Sequence, residues 1–303
     1  MLVMENKVLT IMVDAIGTAL QTMICRLTAA LLLAASLNIF VVPTVHAGSN
    51  LLVTPTRVVF DNRSRSAQVT LMNQGDETGN YRISFIRQNM TDNGKFVPVK
   101  EGEDGKYADQ MIRYSPRQVT LDPGQSQIVR LLLRRPRNLE DGEYRSHLLF
   151  QGLPNPKTTN IEDLSNKNRK GISVEIVPIV GISIPVIVRH GELSANVSLT
   201  DVRVVTPDKQ DGKPGLSVVI NRTGNASVYG DFKAVFTPAG GEPTVVGQAI
   251  GVAVYATNAQ RRFRIPLQVP PGFNLQNGDL HITYTRTGET PETGLLAEVK
   301  TRL

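Results

Sequence analysis

The segment from Ile172 to Val188 constrains the fold of this chain most. It reads ISVEIVPIVGISIPVIV, and every second residue from Ile172 onward is apolar. A period of two is typical of a β-strand, whereas a helix is disfavoured because Pro178 and Pro185 would each remove a helical hydrogen bond. At about 3.3 Å per residue such a strand spans roughly 55 Å, far more than an ordinary strand.

The prolines also indicate that one edge of this strand is open, since proline is tolerated in a sheet mainly where no neighbour needs its N–H. A long apolar edge strand is an aggregation hazard that proteins usually avoid. The sequence therefore predicts that a partner covers this edge.

An export signal precedes the fold. Arg26 supplies a short basic region, residues 27–42 are apolar, and Val45-His46-Ala47 resembles a cleavage site. We therefore predict a leader at 1–47 that includes a signal peptide at 23–47. A membrane anchor is the alternative, but the apolar run is shorter than the ~20 residues that a spanning helix needs. The single cysteine, Cys25, lies in the leader, so the exported chain cannot rely on disulfides.

Short alternating segments separated by turns fill the rest of the chain. About seven of them precede residue 190, no helix is evident, and a second series of strands follows. This pattern is typical of antiparallel sandwiches of immunoglobulin type. We predict an all-β protein with two immunoglobulin-like β-sandwich domains, divided into residues 48–189, a hinge at 190–193, and residues 194–303.

Charge and composition exclude several classes of function. The formal net charge is +6, but the arginines are scattered through strands rather than gathered in a basic tail, so we expect anionic groups on a protein partner and no nucleic acid. The exported chain has three separate histidines and lacks a metal-ligand motif, a nucleophile elbow and a phosphate-binding glycine loop. We therefore expect no enzyme activity, no cofactor and no metal.

Four stretches of the chain resemble a known family. PTRVVFDNRSRSAQVTLMN, SPRQVTLDPGQSQIVRLLLRRP, DGEYRSHLLFQGLP and the long apolar strand ending in VRHG are similar, in this order, to the periplasmic chaperones of the chaperone–usher pathway of pilus assembly. Within this family, the motif EYRSHL is most similar to that of the archaic, spore-coat-like or Csu-type branch. The resemblance implies a boomerang of two sandwiches in the periplasm that binds pilus subunits, lends them its long strand and delivers them to an outer-membrane usher.

The resemblance also implies which side chains enter the subunit. On the apolar side of the long strand these are Ile172, Val174, Ile176 and Val180, with Pro178 facing the same way. Burial of each Ile or Val is worth about 1.5–3 kcal/mol, so a few of them can dominate the affinity. The alternative, that this side packs into the chaperone's own core, applies to the half nearest Val188.

Members of the family bind the subunit's terminal carboxylate with basic residues. Arg57 matches the arginine of the first strand, and a guanidinium can hold a carboxylate through two parallel hydrogen bonds. The usual second anchor is a lysine in the long strand, but this sequence has Pro185 at that position. Arg145 is the first candidate to replace it, and Arg113 is the second.

A different class of function remains open. The chain could be an exported two-domain structural or adhesion module in which the long strand is central. The two hypotheses differ at one feature, because a chaperone needs the edge of that strand open and a structural module covers it.

Overall fold

The computed structural model describes residues 50–100, 102–154, 179–205, 214–269 and 275–303. All of them fall within one compact unit. The predicted leader and signal peptide lie outside the described residues, as do Ile172, Val174, Ile176 and Pro178. None of the helices in the described ranges is long and apolar enough to cross a membrane.

The first half of the described chain forms two sheets. Its strands are β1 (Leu51–Thr54), β2 (Val58–Phe60), β3 (Ser66–Asn73), β4 (Gly79–Ile86), β5 (Gln88–Met90), β6 (Phe96–Pro98), β7 (Ile112–Ser115), β8 (Gln118–Leu121), β9 (Ser126–Leu133), β10 (Gly142–Leu153) and β11 (Gly181–His190), with a 3-10 turn at Asp109–Met111. One sheet has the order β1-β3-β9-β7 and the other has the order β2-β11-β10-β4-β8, while β5 and β6 form a separate hairpin. The inward side chains of both sheets make one core.

The second half forms another sandwich. Its strands are β12 (Ala195–Val205), β13 (Gly215–Gly224), β14 (Val228–Pro238), β15 (Thr244–Val254), β16 (Gln260–Pro266), β17 (Gly278–Arg286) and β18 (Leu295–Arg302), with the short helix α1 (Pro291–Gly294) before β18. The sheets have the orders β12-β13-β16 and β15-β14-β17-β18, and they enclose a core of their own. The prediction of an all-β chain with two sandwiches is confirmed.

Asn73 shows how the local sequence closes the first sandwich. Its side chain is completely buried at the end of β3. The amide Nδ2 donates to the carbonyls of Glu77 at 2.7 Å and Leu121 at 3.0 Å, and Oδ1 accepts from the N–H of Gly75 at 3.0 Å. A buried amide that satisfies its partners in this way holds a turn to the facing sheet.

Strand β11 is the described part of the long apolar segment. It pairs antiparallel with β10 along its whole length, and it pairs in parallel with β2 only at residues 186–188. Ile184, Val186 and Val188 are buried in the first core, as expected for this half of the segment. Val180, which precedes the strand, is 72% exposed. The burial therefore changes sharply within a few residues.

The change in burial between Val180 and Ile184 predicts a difference in stability between two variants. Ile184→Ala should lower the free energy of unfolding by about 2–5 kcal/mol, because it leaves a cavity in the core. Val180→Ala, the matched control, should change it by no more than about 0.5 kcal/mol, because the side chain is mostly in solvent. Urea unfolding of both variants measures the difference, and equal destabilisation would contradict the placement of Val180.

Candidate functional site

One face of the sheet β2-β11-β10 points away from the first core. Residues of β10 and β11 alternate between the two faces, since successive side chains of a strand point to opposite sides. The outward ones are Glu143, Arg145 and His147 on β10 and Pro185, Ile187 and Arg189 on β11. The antiparallel register sets Arg145 opposite Ile187 and His147 opposite Pro185. The fold thus gathers three basic side chains and one acid on one face.

The second sandwich covers part of this face. Ile187 is completely buried in a small apolar cluster with Met90, Ala253 and Tyr255, against which Tyr229 packs. The β5–β6 hairpin joins the same contact: the Asn258 side chain donates to the carbonyl of Met90 at 2.7 Å, and the N–H of Arg262 donates to the carbonyl of Asp92 at 2.6 Å. The two sandwiches therefore meet through packed side chains and backbone hydrogen bonds.

Glu143 holds the centre of the junction. The residue is only 5% exposed. Its Oε2 accepts from the N–H of Ser227 at 3.0 Å, from Ser227 Oγ at 2.7 Å and from Arg189 Nε at 3.2 Å. Arg189 Nη2 also donates to the Ser227 carbonyl at 3.1 Å. Because Ser227 belongs to the second sandwich, its bonds to Glu143 and Arg189 tie the two sandwiches together.

Two arginines lie over the ring of Tyr255, and a third, Arg261, lines the same pocket as the ring. The Cζ of Arg145 lies 3.7 Å from the ring centroid and that of Arg57 lies 5.8 Å away, and Arg57 also lies 4.8 Å from the Tyr229 centroid. Burial raises the pKa of the Tyr255 hydroxyl, and the charges of Arg57, Arg145 and Arg261 oppose that rise. Cations over aromatic faces are attracted by the ring electrons.

Each of these arginines keeps one buried nitrogen without a hydrogen-bond partner among the described residues. These atoms are Arg57 Nη1, Arg145 Nη1 and Arg261 Nε. Burial lowers the pKa of all three guanidinium groups, since desolvation disfavours their charged form. An unpaired buried donor costs about 1–3 kcal/mol. A bound anion would remove this cost, so the cluster has the chemistry of an anion site.

The cluster opens into separate pockets. Arg57 and Arg261 line a pocket of about 230 Å³ with Pro185, and Tyr255 forms one of its walls. Arg145 lines another pocket, of about 170 Å³, on which Tyr255 also borders. Tyr255 therefore borders both pockets.

The three predicted anchors lie in different surroundings. The structure brings Arg57 and Arg145 to the same tyrosine ring but not to the same pocket. Arg113 lies exposed on β7, in the sheet that contains neither β2 nor β10, so it is not brought together with them. Val180 lies exposed just before β11, and its carbonyl accepts from the N–H of Gly152 at 2.9 Å.

Sequence reasoning missed Arg261, Glu143 and Ser227. The alternation of charged residues in EYRSH indicates a polar face on β10, which could have revealed Glu143. For Arg261 the sequence offers only a paired arginine at the start of a strand, and its position beside Arg57 arises from the contact between the sandwiches. Across the described ranges, no group of three or more His, Cys, Asp or Glu side chains is arranged to hold a metal ion.

Comparison with known families identifies the first sandwich. Residues 50–189 match the family model described as pili and flagellar-assembly chaperone, PapD N-terminal domain. This stretch belongs to that chaperone family. The resemblance expected from the sequence is thereby confirmed for the part of the chain that carries Arg57, the outward face of β10 and the long apolar segment.

Several solved chaperone structures are similar to the chain at low identity. The YadV chaperone is 12% identical, with 84% of this chain and 99% of that chain covered and a TM-score of 0.41. The CsuC–CsuE chaperone–tip adhesion subunit complex of archaic Csu pili from Acinetobacter baumannii is 12% identical, with 71% and 89% covered and a TM-score of 0.38. The complex of the SafA pilin with the SafB chaperone from Salmonella enterica is 12% identical, with 84% and 96% covered and a TM-score of 0.39. No curated protein sequence matches the chain.

His147 lies beside Arg145 and has unusual surroundings for a histidine. It is 2% exposed, both ring nitrogens lack hydrogen-bond partners within the described structure, and the Phe96 ring meets it edge-on at 5.0 Å between centroids. Burial, with a smaller contribution from the charge of Arg145, lowers the pKa of His147 from 6.5 to about 4. The folded protein therefore keeps this imidazole neutral where the unfolded chain protonates it.

This difference predicts a pH dependence of stability. Between pH 6.5 and about 4 the unfolded state binds a proton that the folded state refuses, so the free energy of unfolding should fall as the pH drops, by up to about 3 kcal/mol. His147→Leu should lack this component while remaining folded at pH 7.5. Urea unfolding of both proteins at pH 7.5 and pH 4.5 measures it, and a stability difference that is the same at both pH values would refute the assignment.

Proposed function

We propose that this protein is a non-enzymatic periplasmic chaperone that binds pilus subunits by strand donation, assists their folding and delivers them to an outer-membrane usher. The observation that carries the proposal is the open edge of β11, which leads directly to a buried arginine cluster with unpaired donors. The family match over residues 50–189 supports the same function.

The edge of β11 is available for a new strand. Strand β2 pairs with residues 186–188 only, and no other described strand pairs with Gly181–Pro185 on that side. Backbone groups along such an edge are unpaired and ready to bond an incoming chain. A structural module would need this stretch covered, so the observed edge favours the chaperone.

The apolar side chains before β11 suit the proposed donation. Ile179 is 55% exposed and Val180 is 72% exposed, and the alternating segment Ile172–Pro178 precedes them in the sequence. We propose that Ile172, Val174, Ile176, Pro178 and Val180 fill pockets of the subunit. Apolar residues that are exposed next to an open edge gain free energy when a partner buries them.

The arginine cluster could bind the terminal carboxylate of a captured pilus subunit. Arg57 donates through Nη2 to Ser227 Oγ at 3.2 Å, which orients the guanidinium and leaves Nη1 unpaired. We propose that Arg57 binds the terminal carboxylate of the subunit and that Arg145, stacked on Tyr255, adds positive charge from behind the ring. A carboxylate held here would set the register of the subunit along β11.

Loss of the anchor should abolish capture without unfolding the chaperone. Arg57→Ala should prevent recovery of a one-to-one complex with the pilin-like proteins encoded beside this chain, because the carboxylate loses its charged partner. The measurement is co-purification from periplasm, with the melting temperature of the free variant as a control for folding. Normal recovery would refute the anchor.

The same assay distinguishes the other two predicted anchors. Arg145→Ala should reduce recovery less than Arg57→Ala does, because Arg145 lines a different pocket from Arg57 and Arg261. Arg113→Ala, on the other sheet, should leave recovery unchanged. A loss of the complex with Arg113→Ala would place the anchor elsewhere.

A further prediction concerns Ile176, one of the side chains proposed to enter the subunit. Ile176→Asp should weaken subunit capture strongly, because it puts a charge where an apolar side chain enters the subunit. It should leave the melting temperature of the free protein almost unchanged. Ser173→Asp, which the period of two places on the opposite side, is the matched control, and equal effects of both changes on capture would contradict the predicted face. A large loss of stability with Ile176→Asp would instead place this residue in the core.

A further inference from the structure

Arg57 lines two pockets, one of about 410 Å³ with Arg189 and Arg286 and a smaller one beside Pro185. The smaller pocket contains a second basic side chain, which comes from the other sandwich. Arg261 stands on β16, and both arginines line the same volume of about 230 Å³. One water molecule occupies about 30 Å³ of liquid volume, so the pocket can hold a carboxylate together with part of the residue that carries it.

Neighbouring groups hold the guanidinium of Arg261 in place. Its Nη1 donates to the carbonyl of Ala253, and its side chain also lies near the Phe263 ring, with 5.3 Å between Cζ and the centroid. The tip of the β5–β6 hairpin packs closely on the other side, where a Cβ at Gly94 would lie 2.7 Å from Nη2 and where the φ of +82° favours glycine. These contacts leave Nε buried and without a partner.

The charges around the two pockets differ. The pocket of Arg145 is lined by three acids, Glu103, Asp104 and Glu143. The pocket of Arg57 and Arg261 is lined by no Asp or Glu among the described residues. An anion is repelled by nearby carboxylates and attracted by unpaired guanidinium groups. Glu143 also lies near Arg57, across the hydroxyl of Ser227, but it lines the pocket of Arg145 and not the pocket of Arg261. The pocket of Arg57 and Arg261 is therefore the better anion site of the two.

We infer that Arg261 is a direct ligand of the subunit's terminal carboxylate, which it binds together with Arg57 across the contact between the two sandwiches. This inference rests on the proposed chaperone function. Each arginine offers a guanidinium that is already oriented by another hydrogen bond, Arg57 through Ser227 and Arg261 through the carbonyl of Ala253. Since the ligands come from different sandwiches, capture requires that the two keep their mutual arrangement.

The test compares chaperone variants in complex with the neighbouring pilin-like proteins. Arg261→Gln should weaken the complex about 10- to 100-fold, the usual worth of one hydrogen bond to a charged group. The adjacent Arg262→Gln is the matched control. Arg262 is exposed, and its backbone N–H, which bonds the carbonyl of Asp92 across the junction, is unchanged by the substitution. The readouts are the yield of complex and its dissociation rate in dilute urea.

A compensating change keeps the test decisive if Arg261→Gln also lowers the melting temperature. Pro185 lines the same pocket, so Pro185→Lys places a new cation there without replacing the bond to Ala253. In the Arg261→Gln background, Pro185→Lys should restore the complex and Pro185→Ala should not. Failure of the lysine to restore a lost complex would assign the loss to folding and overturn the inference.

The outcomes separate this inference from the proposed function. If the unaltered protein forms no complex with any neighbouring pilin-like protein, the proposed function fails. If Arg57→Ala abolishes the complex and Arg261→Gln leaves it intact, the chaperone function stands and the role of Arg261 is overturned. Loss with Arg261→Gln, no effect of Arg262→Gln and rescue by Pro185→Lys would together support it.

Discussion

The buried carboxylate of Glu143 is the interaction on which the arrangement of the site depends. It binds the N–H and hydroxyl of Ser227 and the guanidinium of Arg189, and so it joins the first sandwich to the second. Desolvation of a buried ion costs several kcal/mol, and the three hydrogen bonds to Oε2 offset that cost. Once Ser227 is held there, its hydroxyl also orients Arg57. The same contact therefore fixes the junction and aims the side chain proposed to bind the subunit.

Around this junction the acidic group is paired, whereas several basic groups are not. Glu143 is bonded to Ser227 and Arg189. Arg57 and Arg145 lie over the ring of Tyr255, Arg261 lines a pocket with it, and each of the three keeps an unpaired nitrogen. The aromatic ring stabilises cations without neutralising them. Preorganised donors of this kind need little rearrangement to bind an anion, because the folded protein has already ordered them. Cationic donors of this kind favour an anion over a neutral group, which suits the proposed binding of a terminal carboxylate.

Strand β11 connects the two parts of the proposed mechanism because it has different neighbours along its length. Near Val188 it is a central strand, with β10 on one side and β2 on the other. Near Gly181 its outer edge lacks a described neighbour strand, and the residues just before it are exposed and apolar. The rigid end anchors the strand in the core, and the open end presents backbone and apolar side chains to a partner. Pro185 stands at the transition, where a missing N–H has no cost.

The sequence by itself determined the all-β class, the two sandwiches and the open-edged strand, because these follow from local period, turn residues and prolines. Through the resemblance to a known family it also predicted Arg57 as an anchor, with Arg145 and Arg113 as candidates for the second one. The tertiary structure decided which charges meet. Arg261 is more than 200 residues from Arg57 in the chain, and Ser227 is 84 residues from its partner Glu143. The period of two predicts which face of a strand a residue occupies. Contacts between the faces of two separate sandwiches depend on how those sandwiches pack, and this packing leaves no local pattern in the sequence.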